Sequence, residues 1–336
     1  MKKVSILILC LLFLCGCQEQ VEPAKQYSKT VFAMDTVMEL SVYGSEDMLA
    51  GAENIITDTE NQLSVTRPDS EIYRLNEEGQ GKVSANTYAL LEQALELCTL
   101  TDGALDISIY PVVKAWGFTT DEHRVPDANE LNTLLQSVDY SKIELRDGNA
   151  VLLGEHMQID LGSVAKGWLG DAILDYFCSN GVESAMINLG GNVQALGAKP
   201  DGSLWRVAIT DPSEEGYAGV VEIKDRAVIT SGGYERYFEQ DGVRYHHIID
   251  PSTGYPADGG LLSVTIIGES GVTCDALSTA LFVMGLDKAT DFWKQNNDFE
   301  AIFITDNGIC ITEGLTSVFS PLGKYENTEV VILHRD

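Results

Sequence analysis

The chain is short of positive charge. Lys and Arg number 22 against 51 Asp and Glu, giving a formal net charge of −29. A field of that sign excludes nucleic acid as a partner and excludes electrostatic adhesion to anionic lipid. It also means that an anionic ligand needs a local counter-charge from a metal, a lysine or helix amides. Cysteine is scarce as well: there are seven in 336 residues, none in a C-x-x-C pair, so no structural zinc site is indicated. Four of them, Cys98, Cys178, Cys274 and Cys310, lie beyond the N-terminal region in apolar contexts and read as small buried residues. No internal repeat, low-complexity tract or Pro/Ser-rich linker divides the chain, and no G-x-x-x-x-G-K-[ST] phosphate loop occurs. A single compact unit is the simplest organisation.

The N-terminus reads "MKKVSILILCLLFLCGC". Two lysines precede an apolar run of about a dozen residues, too short for a stable membrane span. The run ends at Leu14-Cys15-Gly16-Cys17, which resembles a bacterial lipobox. The resemblance implies cleavage before Cys17 and lipidation of its thiol; the alternative is an ordinary signal peptide with incidental cysteines. Residues 1–16 then form the signal peptide, 17–29 a polar tether and 30–336 the folded domain. Cleavage removes Lys2 and Lys3 and no acid, which moves the charge from −29 to −31.

Periodicity gives the coarse layout. Residues 30–44 carry β-branched and apolar character and predict a strand. Residues 46–63 and 86–100 have helical spacing, the latter with Asn86 as an expected cap. Asp127 caps a third helix over 127–138. Short strands are expected near 142–146, 149–153 and 156–161, and a helix over about 164–179. Many short strands follow to about 267, then helices at 274–285 and 287–296 and terminal strands. "TDGALDISIYPVV" (101–113) combines a turn with a strand-like end. This is an α+β layout rather than βαβ alternation.

Four stretches carry polar residues in unusual places. In "CDALSTALFVMG" (274–285), Asp275 and Thr279 lie four apart on one face of an otherwise apolar helix. An ordinary cap and a pair of hard oxygen donors are both open readings. In "IDLGSVAKGWLGDAI" (159–173), Lys166 sits in a helix first turn, where it opposes the dipole. Sharing an anion with the free helix amides would explain it; a surface lysine is the plainer alternative. Gly190-Gly191 permits either a tight turn or close approach to a ligand. His246 and His247 adjoin on an expected strand and so point to opposite faces, which disfavours a zinc pair. Ser163-Val164-Ala165-Lys166 is formally S-x-x-K, but no K-T-G accompanies it.

"AMDT" (33–36), "SEIYRLN" (70–76), "DGALDIS" (102–108), "DLGSVAKG" (160–167), "INLGGN" (187–192), "TSGGYERYF" (230–238), "HIIDPSTG" (247–254) and "DALSTALFVMG" (275–285) occur in this order. Together they resemble the ApbE family of FAD:protein FMN transferases over roughly residues 30–320. The resemblance implies mixed, largely antiparallel sheets with packed helices, in two lobes around a central cleft. It implies an Mg²⁺-dependent enzyme that splits FAD, its substrate, at the pyrophosphate. AMP is released and FMN is joined to a threonine hydroxyl of an extracytoplasmic flavoprotein domain. The alternatives are hydrolysis of FAD to FMN and AMP, or a lipoprotein that only holds FAD. By similarity, Asp275, Thr279 and the Ser163 carbonyl supply oxygens to Mg²⁺, which takes oxygen ligands in octahedral geometry. Met34, Ala104, Leu105, Asp106, Asp160, Lys166 and Ile249 match FAD contacts. His247 matches a histidine near the acceptor hydroxyl, and Asp275 shares in catalysis through the metal. The lipidated Cys17 would hold the protein outside the cytoplasm on the cell membrane.

Three positions depart from the family pattern. Asp35 stands where glycine is usual, Thr66 where an aromatic is common, and Gly233 where Asp or Asn is usual. They put in doubt, respectively, a backbone conformation, a stacking partner and a polar side chain near the site.

Overall fold

The computed structural model describes residues 25–120 and 122–335. The expected signal peptide and the expected lipidation site at Cys17 lie outside the described residues. The fold is α+β. Its main sheet has nine strands: β1 (Gln26–Ala33), β2 (Thr36–Tyr43), β6 (Ala185–Leu189), β7 (Asn192–Leu196), β10 (Arg226–Gly232), β13 (Leu261–Gly268), β14 (Phe299–Thr305), β15 (Gly308–Thr312) and β17 (Val331–Leu333), in that spatial order. Every pairing in it is antiparallel except β15 with β17. Smaller sheets join β3 (Gln80–Lys82), β4 (Ile143–Arg146) and β5 (Asn149–Leu152); β8 (Trp205–Thr210), β9 (Tyr217–Ile223) and β16 (Phe319–Pro321); and the hairpin of β11 (Tyr237–Gln240) and β12 (Val243–His246). The helices are α1 (Asp47–Leu63), α2 (Glu71–Glu78), α3 (Ala85–Leu100), α4 (Tyr110–Trp116), α5 (Ala128–Leu134), α6 (Ala165–Ser179), α7 (Gly271–Met284) and α8 (Leu286–Gln295).

The main sheet separates two cores. On one face, Met38, Leu40, Ile187 and Leu189 pack with Ile56 of α1 and Ile173 and Phe177 of α6. Further along that face, Val264 and Ile266 meet Leu277 and Leu281 of α7 and Trp293 of α8. The other face is covered at its β7–β15 end by Trp205, Val207 and Val221 of the β8–β9 sheet. α7 also presents Val272, Ala276 and Ala280 to a third core around α3. That explains why its sequence is apolar all round: it is buried between two layers.

Helices α6 and α7 cap each other. Asp171 of α6 accepts hydrogen bonds from Gly271 N (2.7 Å) and Val272 N (3.0 Å), the first amides of α7. Asp275 of α7 accepts from Gly167 N (2.8 Å) in the first turn of α6. Such capping offsets the unpaired amides that every helix start leaves. The close approach needs glycine. A Cβ on Gly167 would lie 2.3 Å from the Gly271 carbonyl oxygen and 2.8 Å from Asp275 Cβ.

The structure corrects several local expectations. Residues 30–44 are two strands, folded at Met34-Asp35. β1 begins at Gln26, so the last four residues of the expected tether are paired strand. Asp35 has φ of +57°, which Asp tolerates better than most side chains, so the missing glycine does not prevent the tight turn. The α3 cap is Ser84, which accepts from Thr87 N, and not Asn86. Residues 110–116 form a helix opened by Pro111, and 156–161 contribute only an isolated bridge from Gln158 to Ile109. Cys178 is exposed, whereas Cys98 and Cys274 are buried.

Candidate functional site

A cleft of about 1690 Å³ opens along the β1–β2 end of the main sheet, where the β8–β9 layer stops short. The β1–β2 turn supplies Met34 and Thr36 to its wall, and the loop into α6 supplies Asp160 and Lys166. The segment after β10 supplies Glu235 and Arg236. Met34 is held in place because its amide donates to Glu60 Oε1 at 2.6 Å.

The loop from Asp160 into α6 is organised by hydrogen bonds. Asp160 Oδ1 accepts from Gly162 N at 2.9 Å, and the Asp160 amide donates to the Ile107 carbonyl at 2.8 Å. Desolvation raises the pKa of Asp160, while Gly162 N–H, Arg236 and Lys166 oppose the rise. Among the described residues, Lys166 makes no ion pair and its amide donates to none of them. A free ammonium and a free helix amide therefore share one cleft wall, the arrangement that suits a phosphate.

Asp275 is 4% exposed and lies in the second turn of α7, because the helix starts at Gly271 rather than Cys274. Ser270 caps α7, so Asp275 is free of that duty. Gly167 is the third residue of α6, so its amide has no acceptor within the helix and Asp275 supplies one. Ser163 precedes the N-cap Val164, and its carbonyl accepts no backbone hydrogen bond from the described residues. Thr279 is half-buried one turn after Asp275, with Oγ1 3.3 Å from Ser231 Oγ. The second oxygen of Asp275 accepts from no described residue. One carboxylate oxygen, one carbonyl and one hydroxyl are therefore left without strong partners. They are hard donors that fit a small divalent cation. No group of three His, Cys, Asp or Glu suited to a metal occurs among the described residues.

His247 follows β12 directly. Its Nδ1 lies 3.1 Å from the Arg236 carbonyl, which can only accept, so the proton sits on Nδ1 and the lone pair on Nε2. Burial pushes its pKa down to about 3, helped by the Arg236 guanidinium. His247 stacks edge-on against Phe118, whose carbonyl accepts from Arg236 Nη2 at 2.6 Å, so it stands behind the wall that Phe118 and Arg236 form. His246 turns the other way, with Nε2 3.0 Å from the Ala257 carbonyl. The opposite-faces expectation describes the pair.

Four expected contacts stand off the cleft wall. Leu105 is core, and Ala104 packs against the same cluster. Asp106 uses its carboxylate on the Ser108 amide, the Ser108 hydroxyl and the Tyr140 amide, which pins two loops together. Ile249 packs with Val112, Trp116 and Phe118. Thr66, in place of an aromatic, does line the cleft. Gly233 leaves room that the His246 ring occupies; a Cβ there would lie 2.8 Å from its Cδ2.

Sequence reasoning missed three residues. Glu235 lines the cleft, and partial desolvation between its walls pushes the carboxylate pKa up to about 7; Asp275 adds to the rise, and Lys166 and Arg236 oppose it. Arg236 ties the cleft wall to Phe118 and acts on both Asp160 and His247. Asn192 is 2% exposed, and its Nδ2 has no partner among the described residues. It alternates with Gln194, which holds the Gly167 carbonyl at 3.0 Å. The hint in the sequence was a pair of amides on a strand otherwise built of apolar residues.

The cleft and its walls define a class: an α+β protein with a cleft whose lysine and free helix amide suit an anion, together with a set of hard oxygen donors. The chain belongs to the ApbE family, whose model matches residues 34–303. It is 33% identical over 335 residues to the FAD:protein FMN transferase of Vibrio cholerae, spanning 96% of this chain and 99% of that one. It is 36% identical to the enzyme of the same name from Treponema pallidum over 327 residues, 90% of each. Among solved structures, the ApbE protein of Thermotoga maritima superimposes with a TM-score of 0.83 at 32% identity, over 88% of this chain and 99% of that one. The flavin transferase ApbE of Vibrio cholerae gives 0.79 at 30% identity, over 88% and 100%.

Proposed function

We propose that this protein transfers FMN from FAD to a threonine hydroxyl of an extracytoplasmic acceptor protein and releases AMP, with Mg²⁺ as its metal. Transfer of FMN to a protein is supported by the relatives named for that activity. The observation that carries the metal-dependent reading is that one oxygen of the buried Asp275 carboxylate has no partner among the described residues while the other is fixed by the Gly167 amide, with the Thr279 hydroxyl one turn along the same helix.

The residues have separable tasks. Lys166, the α6 amides and Arg236 offset the charge of the pyrophosphate, which the net charge of the chain would otherwise repel. A Mg²⁺ held by Asp275, Thr279 and the Ser163 carbonyl would neutralise charge developing on the phosphate oxygens. The threonine oxygen forms a bond to the FMN phosphorus as the bond from that phosphorus to the AMP oxygen breaks. We assign the hydroxyl proton to Nε2 of His247, which holds the lone pair because Nδ1–H is engaged by the Arg236 carbonyl; the acceptor segment has to reach it past Phe118 and Arg236, which line the cleft in front of it. Asp160, Met34, Ala104, Leu105, Asp106 and Ile249 shape the flavin and adenosine ends. Four of these, Ala104, Leu105, Asp106 and Ile249, do so from behind the wall.

The test is mass spectrometry of candidate secreted flavoproteins after incubation with the protein, FAD and Mg²⁺. A threonine carrying FMN, with one AMP per adduct, is expected. Free FMN without adduct would convert the reading to FAD hydrolysis. Intact FAD would leave a binding protein. The anchoring proposal is separate: Cys17→Ser should release the protein from membranes or block its maturation, and unchanged membrane fractionation would refute lipidation.

A further inference from the structure

We infer that the open face of the β1–β2 hairpin, centred on Phe32 and Val37, is the surface on which the acceptor protein lays the segment to be modified; this rests on the transfer reading above. Phe32 and Val37 are cross-strand partners next to the Met34-Asp35 turn, and they are 74% and 54% exposed. The two-residue period puts Thr30 and Ser28 on the face of Phe32, opposite Glu39 and Ser41 on the face of Val37. The other face of β2 carries Met38, Leu40 and Val42, which are buried in the core. The exposed pair is therefore not core left uncovered.

The face is continuous with the reaction cleft. Ser28, Thr30, Glu39 and Ser41 line the same cavity as Lys166 and Glu235. That cavity, about 1690 Å³, exceeds the ~300–1,000 Å³ of a typical small-ligand pocket, so room remains beyond a dinucleotide. A transferase to protein hydroxyls must admit a polypeptide to its phosphates along some such path. The occupant is defined by the floor. It is an extended segment with an apolar side chain near its hydroxyl residue to cover Phe32 and Val37. Its neighbours are not acidic, because Glu39 and Asp35 line the path.

The experiment uses fluorescein-labelled eleven-residue peptides with a central threonine, flanked by apolar or by acidic residues. Binding to the full chain is read by anisotropy with and without FAD. Apolar-flanked peptides should bind the wild type, at least about tenfold more weakly the Phe32→Ser/Val37→Ser variant, and near-normally Phe32→Tyr. FAD affinity and circular dichroism should not change. Equal peptide affinity in wild type and double variant, equal binding of acidic flanks, or no peptide binding at all would overturn the proposal. So would a dimer in sedimentation that the double substitution dissociates, which would give the face to a second copy. Loss of flotation with phosphatidylcholine–phosphatidylglycerol vesicles would give it to the membrane. Failure of the wild type to bind FAD would instead sink the transfer reading, and peptide binding without FAD would still decide the face.

Discussion

Replacing Asp275 by Asn separates a cap from a metal ligand. The side chain is buried and, among the described residues, its one hydrogen bond is to the Gly167 amide. Asn keeps an oxygen for that amide. The bond falls from the charged class, about 1.5–3 kcal/mol, to the neutral class, about 0.5–1.5, a loss on the order of 1 kcal/mol. Some of that is offset, since the Asp275 charge raises the pKa of both Asp171 and Glu235 and its removal relieves both. The melting temperature of the metal-free protein should drop by no more than about 2–4 °C. Metal linkage should change far more. A ligand at a hundred times its Kd stabilises by about 2.7 kcal/mol, so Mg²⁺ should raise the wild-type melting temperature and leave Asp275→Asn nearly unmoved. Even the neighbours of metal ligands typically carry about 10–100-fold in affinity or activity. Removal of the only carboxylate among the three donors should therefore lower FMN transfer at least about a hundredfold and move its Mg²⁺ requirement upward. The assays are differential scanning fluorimetry against Mg²⁺ and adduct formation against Mg²⁺. Wild-type transfer at low Mg²⁺ together with an unchanged thermal response would refute the assignment and leave Asp275 as a cap for α6.

Lys166→Ala should weaken FAD binding by about 1–3 kcal/mol, the range for a charge-assisted bond; isothermal titration returning the wild-type Kd would make Lys166 a surface lysine. Gly167→Ala drives a methyl into the Gly271 carbonyl and the Asp275 Cβ, so it should destabilise by at least about 1–3 kcal/mol in urea melts. An unshifted midpoint would show that α6 and α7 can part freely. His247 is held neutral by burial, with its pKa near 3 against an ordinary 6.5. Between those values the unfolded chain binds more protons, so this stabilisation is present above about pH 6.5 and is lost as pH falls toward 3. His247→Gln should therefore flatten the melting-temperature profile between pH 4 and 6.5, and an NMR titration placing His247 near 6.5 would defeat the argument.

The order of elements and the polar oddities along them were legible in the chain, because both depend on near neighbours. The 3.6-residue period of α1 and α3 and the four-residue spacing of Asp275 and Thr279 need no tertiary information. Neither does the cation at the start of α6. What the folded structure decided was which groups are free. Asp275 looked like a first-turn residue because Gly271-Val272-Thr273 has no apolar period; only Asp171, a hundred residues away, and Ser270 show that α7 begins there. The same holds for the Gly167 amide, a first-turn donor whose acceptor, Asp275, comes from another helix. Glu235 and Arg236 sit in a turn with no periodic signal, and their chemistry exists only because Lys166, Asp160 and His247 come to meet them. Composition and spacing act over a few residues and set local structure. Desolvation and hydrogen-bond competition act through space, so the site itself was settled when two helices crossed at a pair of glycines.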